Sequence, residues 1–386
     1  MRGASAGDQA TPGTRLDDNE STARRKGGIR TASMTGRASG EAASSISGGR
    51  GRMQAIVQKG YGAPERVLEL ADVPRPSFGD QDVLVRVRAT SVNTPDWITV
   101  AGVPRVLRLR SGLRQPRTAI RGTDVAGVVE AVGASVNDFR TGDEVLGSSW
   151  DKALTPTAGT FAELSVVRAS QLVLKPSTLT FEEAAASVMS GLTALIAMRD
   201  VGRVGAGTRV LINGSSGGVG TFAVQIARAL GAEVTGVCST RNLELVRSLG
   251  ADRVIDYTKE DFTRSEARYD VILDNVMNHS PNVTARLLSQ TGRLIPNSVG
   301  NAGGLFAGLP RMARAAVLGL GRTDVRFVTC EVNRENLRAL VSFLVSGDVR
   351  VVIDKVYPLA AAADAVAHML GHHARGKIVI TAPGPP

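Results

Sequence analysis

Residues 209–220, RVLINGSSGGVG, are the stretch that decides the fold. The first half is a short apolar and β-branched run that predicts a strand over 209–212, and the second half is a glycine-rich turn. A helical pattern follows at once, over 218–230. A strand, a glycine turn and a helix in this order are the setting that a dinucleotide-binding motif requires.

Small residues in this turn predict a cofactor site. Without a Cβ at Gly217 and Gly218 the backbone can approach a pyrophosphate, and Gly220 allows the helix to pack closely on the strand. The amides and the dipole of the helix N-terminus favour the anion. The alternative is a tight turn that holds no ligand. The residues expected to bind the cofactor here are Ser215, Ser216, Gly217, Gly218, Val219 and Gly220, with Ser215 at the first position of the strict GxGxxG pattern.

The next predicted strand, 233–238, indicates which dinucleotide is bound. An NAD enzyme would carry Asp or Glu at its end, on the ribose 2′-hydroxyl. This chain has Ser239, Thr240, Arg241 and Asn242 instead. Two hydroxyls and a guanidinium suit a 2′-phosphate through charge-assisted hydrogen bonds, so we expect NADP(H). In the alternative without a ligand, Asn242 caps a helix and Arg241 is solvated. The two interpretations are compatible, because a 2′-phosphate would lie beside the same helix cap.

Outward from this motif the pattern divides the chain. Strand signals at 54–57, 83–89, 125–132 and 161–167 predict a β-rich domain. An Ala-rich helix is expected over 181–199, with Thr180 as its N-cap. Alternation then follows, which predicts an α/β fold with a Rossmann doubly wound parallel sheet. The expected strands are 209–212, 233–238, 254–256, 271–274, 293–296 and 325–329, and the helices are 218–230, 243–249, 283–289 and 334–345.

The same signals give domain bounds. Residues 1–52 contain almost no large apolar side chains and are expected to be disordered. The β-rich domain is expected over 53–178, and residues 346–386, with a strand, a helix and a strand, are expected to complete it. The Rossmann NADP-binding domain is expected over 179–345.

Composition narrows the function classes. The chain has 386 residues and two distant cysteines, which give no disulfide framework and fit a reduced, cytoplasmic compartment. No apolar run is judged to approach the ~20 residues of a spanning helix, so no membrane is expected. The net charge of +10 suggests nucleic-acid binding as one function to consider. However, no aromatic residues lie among the clustered arginines, and a solvated basic loop is preferred. Those arginines are Arg105, Arg108, Arg110, Arg114, Arg117 and Arg121.

Taken together, these segments resemble the medium-chain dehydrogenase/reductase superfamily, in its quinone oxidoreductase-like branch, where a small residue at the first fingerprint glycine is typical. The resemblance implies a GroES-like β-rich domain, a substrate cleft between the domains and a homodimer that pairs through 325–329. The matching pieces are QAIV (54–57), YGAPE (61–65), VLVRV (83–87), SVNTPD (91–96), GTDVAGVVEAVG (122–133), GDEV (142–145), GTFAE (159–163), GLTA (191–194), the turn 215–220, LGADRVIDY (249–257) and RGKIV (375–379).

The resemblance also bears on zinc. Zinc-dependent relatives have a Cys near the SVN segment and a His where this chain has Thr123. In this chain Asn93 lies near the position of that Cys. The four cysteines of the structural zinc site of such relatives are also absent from the sequence, so no metal is expected. His372 and His373 are expected at the surface. His279 is a candidate proton donor near the cofactor, with a plain loop residue as the preferred interpretation.

Several further residues are expected at the site. Asn93, Asp96 and Trp97 are candidates for the substrate side, with a turn-stabilising Asn, a helix cap and a packing aromatic as the alternatives. The resemblance implies cofactor contacts for Thr193, Tyr257 and Lys377. Asn275 and Ser298 follow strand ends, where open α/β sheets bind ligands. Relatives often have glycine at Met277, whose bulk is expected to narrow the nicotinamide pocket. Residues 303–314 are a candidate lid or dimer surface.

Without zinc, a developing alkoxide has no Lewis acid, so an electron-poor acceptor is favoured. We therefore expect an NADPH-dependent enzyme that reduces a small-molecule quinone or α,β-unsaturated carbonyl. The alternatives are an alcohol dehydrogenase or enoyl reductase on the same scaffold, and a non-catalytic NADPH-binding protein.

Overall fold

The computed structural model describes residues 51–150, 159–298, 308–371 and 374–383. The strands of this described part are β1 (Arg52–Gln58), β2 (Leu68–Pro74), β3 (Asp82–Ser91), β4 (Asp124–Val132), β5 (Glu144–Ser148), β6 (Leu164–Arg168), β7 (Leu172–Leu174), β8 (Arg209–Asn213), β9 (Glu233–Cys238), β10 (Arg253–Asp256), β11 (Tyr269–Asp274), β12 (Leu288–Pro296), β13 (Asp324–Val325), β14 (Ile353–Pro358) and β15 (Lys377–Thr381).

Most of the α-helices lie between strands of the second half of the chain. The α-helices of the described residues are α1 (Pro64–Val67), α2 (Thr94–Ala101), α3 (Arg108–Ser111), α4 (Phe181–Leu195), α5 (Gly218–Ala229), α6 (Leu243–Ser248), α7 (Pro281–Thr284), α8 (Leu309–Leu318), α9 (Arg334–Val345) and α10 (Ala362–Leu370).

A parallel sheet with the strand order β10-β9-β8-β11-β12-β13 forms the framework of the glycine turn. The order reverses next to β8, so β8 lies at the topological switch point, where open α/β sheets bind ligands beyond their carboxyl ends. This is the Rossmann arrangement that the alternating pattern predicts. The glycine turn follows β8 directly and therefore lies at the mouth of the sheet.

A second, mixed sheet has the order β14-β15-β3-β4-β5-β7, with β6 paired to β3. Its antiparallel centre comes from the first half of the chain, and β14 and β15 join it from the end. The contribution of the end of the chain supports the proposed completion of the 53–178 domain by 346–386. The proposed tail, apart from its last two residues, lies outside the described residues.

Helix α4 lies between the two sheets and contacts β3, β4 and α5. Its predicted start is confirmed: Thr180 Oγ1 accepts from the Glu183 amide at 3.1 Å, and the Glu183 carboxylate accepts from the Thr180 amide at 3.0 Å. From Ala184 to Leu195 every residue of α4 is buried. A π-helical segment, Ile196–Val201, continues the helix beyond the predicted end at Arg199.

The combined segment Phe181–Val201 is long and apolar enough to cross a membrane by length and composition, so the expectation that no run approaches this length is wrong. Its most apolar window is 83% buried inside the protein. Such burial is the property of a core helix that packs on its neighbours.

Two predicted elements differ from the structure. The helix expected over 283–289 is the short α7 followed by a 3-10 turn, Ala285–Leu287. Strand β12 already begins at Leu288 and pairs with β11. Pro281 follows the N-cap Ser280, so α7 starts earlier than the apolar pattern indicates. The strand expected over 325–329 is reduced to β13, which pairs with β12 through two residues.

Two of the clustered arginines pack against other parts of the protein. Arg121 is 2% exposed, and burial lowers its pKa to about 10, against the opposing charge of Asp96. Arg108 donates to the Gly102 carbonyl at 2.8 Å and stacks on the Tyr61 ring at 4.4 Å. The interpretation of this segment as a uniformly solvated basic loop is therefore wrong for these two residues.

Candidate active site

A cleft of about 740 Å³ lies at the carboxyl ends of the parallel strands. Loops after β8, β9, β11 and β12 line one side, and α2, α4 and β15 line the other. The predicted site residues that the structure brings together here are Asn93, Trp97, Thr193, Ser216, Gly217, Gly218, Val219, Gly220, Ser239, Arg241, Tyr257, Asn275, Ser298 and Lys377.

The glycine turn forms one wall through its backbone. Helix α5 begins at Gly218, with Gly217 as its N-cap. A Cβ on Gly217 would meet only the Gly214 carbonyl, at 3.5 Å, and would occupy cleft space. A Cβ on Gly220 would lie 2.1 Å from that same carbonyl, so the helix packs directly on the turn. This packing is the role predicted for Gly220.

Ser215 does not reach the cleft. It is fully buried, and both its amide and its Oγ donate to the Val237 carbonyl at 3.0 Å. Gly236 leaves the space for this orientation, because a Cβ there would lie 2.9 Å from Ser215 Oγ. The side chain fixes the turn against β9, and its predicted contact with the cofactor is not supported.

The loop that follows β9 lines one end of the cleft. Ser239 and Arg241 line the cleft, whereas Thr240 Oγ1 donates to Asp256 Oδ2 at 2.6 Å and lies outside the lining set. That hydrogen bond lowers the pKa of Asp256, the acid at the end of β10. The Thr240 hydroxyl therefore binds this carboxylate, and its expected contact with a 2′-phosphate stays a prediction.

Asn242 stands at the N-cap of α6 without capping it through its side chain. Its Nδ2 donates to Ser216 Oγ at 2.9 Å, which joins the loop after β9 to the glycine turn. The capping role considered for Asn242 is thus wrong, and the residue instead fixes the relative position of two cofactor-facing loops.

Amide side chains gather at the ends of β8, β11 and β12. Asn213 Nδ2 donates to Asp274 Oδ1 at 2.8 Å, and Asn297 Nδ2 donates to Asn275 Oδ1 at 2.8 Å. Asn275 Nδ2 is buried and has no hydrogen-bond partner among the described residues. A buried donor without a partner is costly, and a ligand acceptor at this cleft-lining residue would satisfy it.

Met277 does not narrow the cleft. It is 1% exposed, absent from the cleft lining and has a φ of +54°. This left-handed conformation explains why glycine would suit the position. The Met277 amide donates to Asp274 Oδ1 at 2.8 Å, and its carbonyl accepts from Arg311 Nη1 at 2.6 Å.

On the opposite wall, Asp96 has a structural position rather than a substrate-facing one. It is buried, with Oδ2 accepting from the Asn93 amide at 2.8 Å and Oδ1 from the Gly122 amide at 3.1 Å. Burial raises the pKa of Asp96 to about 7. The helix-cap alternative therefore describes Asp96, and it holds Asn93 at the start of α2.

Asn93 joins two buried charges. Its Nδ2 donates to Asp124 Oδ2 at 2.8 Å, and its Oδ1 accepts from Lys377 Nζ. Asp124 also accepts from Ser91 Oγ at 2.6 Å and from the Met189 amide at 3.2 Å. We call Asn93, Asp124 and Lys377 the buried network. Sequence reasoning missed Asp124, although it ends the Gly122–Thr123–Asp124 motif.

The remaining lining divides into a polar and an apolar part. Thr193 lines the cleft, and its Oγ1 donates to the Met189 carbonyl at 2.7 Å. Apolar side chains from both walls also line the cleft. They are Trp97, Trp150, Met189, Met312, Phe327, Val328, Met369 and Ile378. This part suits a flat, uncharged molecule.

The remaining expectations fall elsewhere. His279 lines a separate pocket with Lys259, and its Nε2 lies 3.8 Å from Asp261 Oδ1. His372 and His373 lie outside the described residues. Of the segment 303–314, residues 303–307 also lie outside them, and Met312 on α8 lines the cleft.

The side chains at the position where zinc-dependent relatives bind the metal do not suit zinc. Asn93 offers an amide and Thr123 a hydroxyl, and the Asn93 amide lies within 3.3 Å of Thr123 Oγ1. Zinc sites in proteins use thiolate, imidazole and carboxylate ligands. In the described ranges no group of three His, Cys, Asp or Glu side chains could hold a metal ion.

A Rossmann sheet, a second mixed sheet and a cleft at the glycine turn define a dinucleotide-binding dehydrogenase or reductase. A family model for the alcohol dehydrogenase GroES-like domain matches residues 79–177, and one for zinc-binding dehydrogenases matches residues 249–380. The chain belongs to the medium-chain dehydrogenase/reductase superfamily, in its quinone oxidoreductase-like branch.

Individual relatives agree with this placement. A chloroplast envelope quinone oxidoreductase homolog of Arabidopsis thaliana is 32% identical over 338 residues, 85% of this chain and 98% of the relative. An NADPH-dependent alkenal/one oxidoreductase of the same plant is 31% identical over 338 residues, 85% of this chain and 79% of the relative. The solved quinone oxidoreductase of Coxiella burnetii has a TM-score of 0.74 and 27% identity, covering 86% of this chain and 99% of its own.

Proposed function

We propose that the protein is a zinc-independent, NADPH-dependent oxidoreductase that transfers a hydride to a quinone or an α,β-unsaturated carbonyl. One observation carries the proposal: a single cleft joins the glycine turn to an apolar space. The names of the relatives support the same substrate class. A flat, electron-poor acceptor fits an apolar lining better than a charged one does.

The cleft residues fit NADP(H). The turn at Gly217 and Gly218 would hold the diphosphate at the N-terminus of α5. Arg241 and Ser239 would hold the 2′-phosphate, and Tyr257 would lie beside the adenosine. Thr193, Asn275 and Ser298 would face the nicotinamide half, where Asn275 offers its unpartnered amide donor. Bound NADPH would supply the hydride, and the protein would supply position and electrostatics.

The donor chemistry at Asn93 and Thr123 supports zinc independence. A secondary alcohol would form an alkoxide that no metal stabilises, so an acceptor that is already electron-poor is favoured. We also propose a homodimer formed through the exposed edge at β13, and a cytoplasmic location, which suits the free thiols of Cys238 and Cys330.

NADPH oxidation by the full chain tests the proposal, with quinones, enones, enoyl thioesters, aldehydes and alcohols as separate arms. We expect turnover with quinones or enones. Turnover with enoyl thioesters alone would favour the enoyl-reductase alternative, and tight NADPH binding without turnover in any arm would favour a non-catalytic protein. Stoichiometric zinc after purification, together with loss of activity on chelation, would contradict zinc independence.

A further inference from the structure

Lys377 is a buried lysine that the cofactor assignment does not fully explain. It is 3% exposed, yet it lines the cleft. Its Nζ donates to Asn93 Oδ1 and to the Val92 carbonyl, the latter at 3.2 Å. These partners belong to the substrate wall at the start of α2, so the ammonium is directed away from the adenosine end.

The chain holds Lys377 at this place from two sides. The amide of the preceding residue, Gly376, donates to the Ser216 carbonyl in the glycine turn at 2.9 Å. A Cβ on Gly218 would lie 3.2 Å from Lys377 Cδ, so the aliphatic stem runs beside the start of α5. The ammonium thus lies where the diphosphate-binding turn meets the apolar space.

Two buried acids lie near Lys377. Asp124, on β4, is bridged to it by Asn93, and Asp96, on α2, also contributes an attractive charge. Burial is the main cause that lowers the pKa of Lys377, and the two acids act in the opposite direction. An ammonium with a lowered pKa is a better proton donor than an exposed one.

We propose that Lys377 stabilises the oxyanion of the acceptor and donates the proton in the proposed reduction, and that Asn93 and Asp124 position it. The buried network then occupies the place that zinc takes in zinc-dependent relatives. The inference rests on the proposed function for its reaction. Lys377 is itself buried, and a fixed, buried charge interacts strongly with charge that develops during reaction.

The step balances as follows. The acceptor takes a hydride with two electrons from the reduced cofactor and is reduced, while the cofactor is oxidised. Negative charge appears on the acceptor oxygen, where a new O–H bond forms as a Lys377 N–H bond breaks. The neutral amine then regains its proton from water.

A phenolate titration tests the oxyanion site without turnover. The probe is 4-nitrophenol, whose phenolate absorbs visible light, added to the full chain with saturating NADP⁺. We expect the bound probe to ionise at a lower pH than in solution. Lys377→Met should abolish that shift, and Lys377→Arg should keep part of it, because arginine remains a cation. Lys175→Met is the matched control, since Lys175 is a buried lysine outside the cleft lining.

Steady-state kinetics give the second readout. Lys377→Met should lower kcat by roughly 10²–10³-fold, the effect of removing one oxyanion donor, with little change in the Kd for NADPH. Lys377→Arg should lower kcat as well, because it supplies charge but no transferable proton. Circular dichroism verifies the fold of each variant.

Several outcomes would overturn the inference. One is a wild-type complex that does not shift the ionisation of nitrophenol, and another is an equal shift in Lys377→Met. A third is a variant whose Kd for NADPH rises while kcat is kept, which would make Lys377 a cofactor anchor. Failure of the proposed function gives a different result: no acceptor is reduced by the wild type, while the nitrophenol titration still reports on Lys377.

Discussion

The two walls of the cleft are built differently: one from closely packed backbone, the other from buried polar side chains. The glycine turn at Gly217–Gly220 is built from backbone and space, and at Gly220 an added Cβ would strike a carbonyl oxygen at 2.1 Å. The wall of the buried network is built from side chains, with Asp124 and Asp96 both buried and both hydrogen-bonded. We therefore expect the glycine-turn wall to be sensitive to added side-chain volume. We expect the other wall to be sensitive to a change of charge that leaves the side-chain volume constant.

The largest effect should come from added volume at the turn. Gly220→Val forces α5 away from Gly214, so we expect a loss of unfolding free energy on the order of 4 kcal/mol and no measurable NADPH binding. Thermal melting and NADPH fluorescence titration measure the two effects. Gly205→Ala is the matched control, because a Cβ there meets nothing within 4 Å. Normal NADPH binding by Gly220→Val would show that volume does not govern this wall.

The second test changes charge without volume. Burial raises the pKa of Asp96 from 3.8 to about 7, so between these values the native state keeps a proton that the unfolded chain releases. Stability from this group is therefore fully present below the unfolded pKa and is lost as the pH rises through the folded pKa, by about 1.4 kcal/mol per pH unit. Asp96→Asn should remove that decline.

Melting temperatures of wild type and Asp96→Asn across this range measure the effect. The amide places a donor opposite a backbone N–H, which adds a penalty that is constant with pH and leaves the trend readable. Asp80→Asn, at an exposed position, should keep the wild-type trend. Parallel trends for wild type and Asp96→Asn would mean that Asp96 stays ionised in the native state and that its burial costs less than we infer.

The two walls also differ in how far their structure can be predicted from the sequence. The glycine turn is contiguous, so the pattern at 209–220 is sufficient to place the strand, the turn and the helix. The buried network joins Asn93, Asp124 and Lys377 from three distant segments, and no local pattern reports that they meet. The sequence places Lys377 at the cofactor by resemblance, but its partners are visible only in the structure.

Two predicted site residues bond away from the cleft for local physical reasons. Ser215 was expected to contact the cofactor, but Gly236 on the neighbouring strand leaves room behind it and the side chain turns inward. Thr240 was expected at the phosphate, but Asp256 at the end of β10 accepts its hydroxyl. In both residues a neighbour across the sheet decides the orientation, and the order of residues along one chain does not show that neighbour.

The smallest effect should arise at the exposed outer end of the cleft, where Arg241 carries the predicted preference for NADPH. A charged hydrogen bond to a 2′-phosphate contributes about 1.5–3 kcal/mol, so Arg241→Ala should weaken NADPH binding by roughly 10–100-fold and leave NADH binding nearly unchanged. The difference should shrink at high salt, because an exposed charge is screened. Arg247→Ala is the control, since Arg247 pairs with Glu244 at 2.6 Å and does not line the cleft. Equal weakening of both cofactors by Arg241→Ala would show that this arginine shapes the loop and does not read the phosphate.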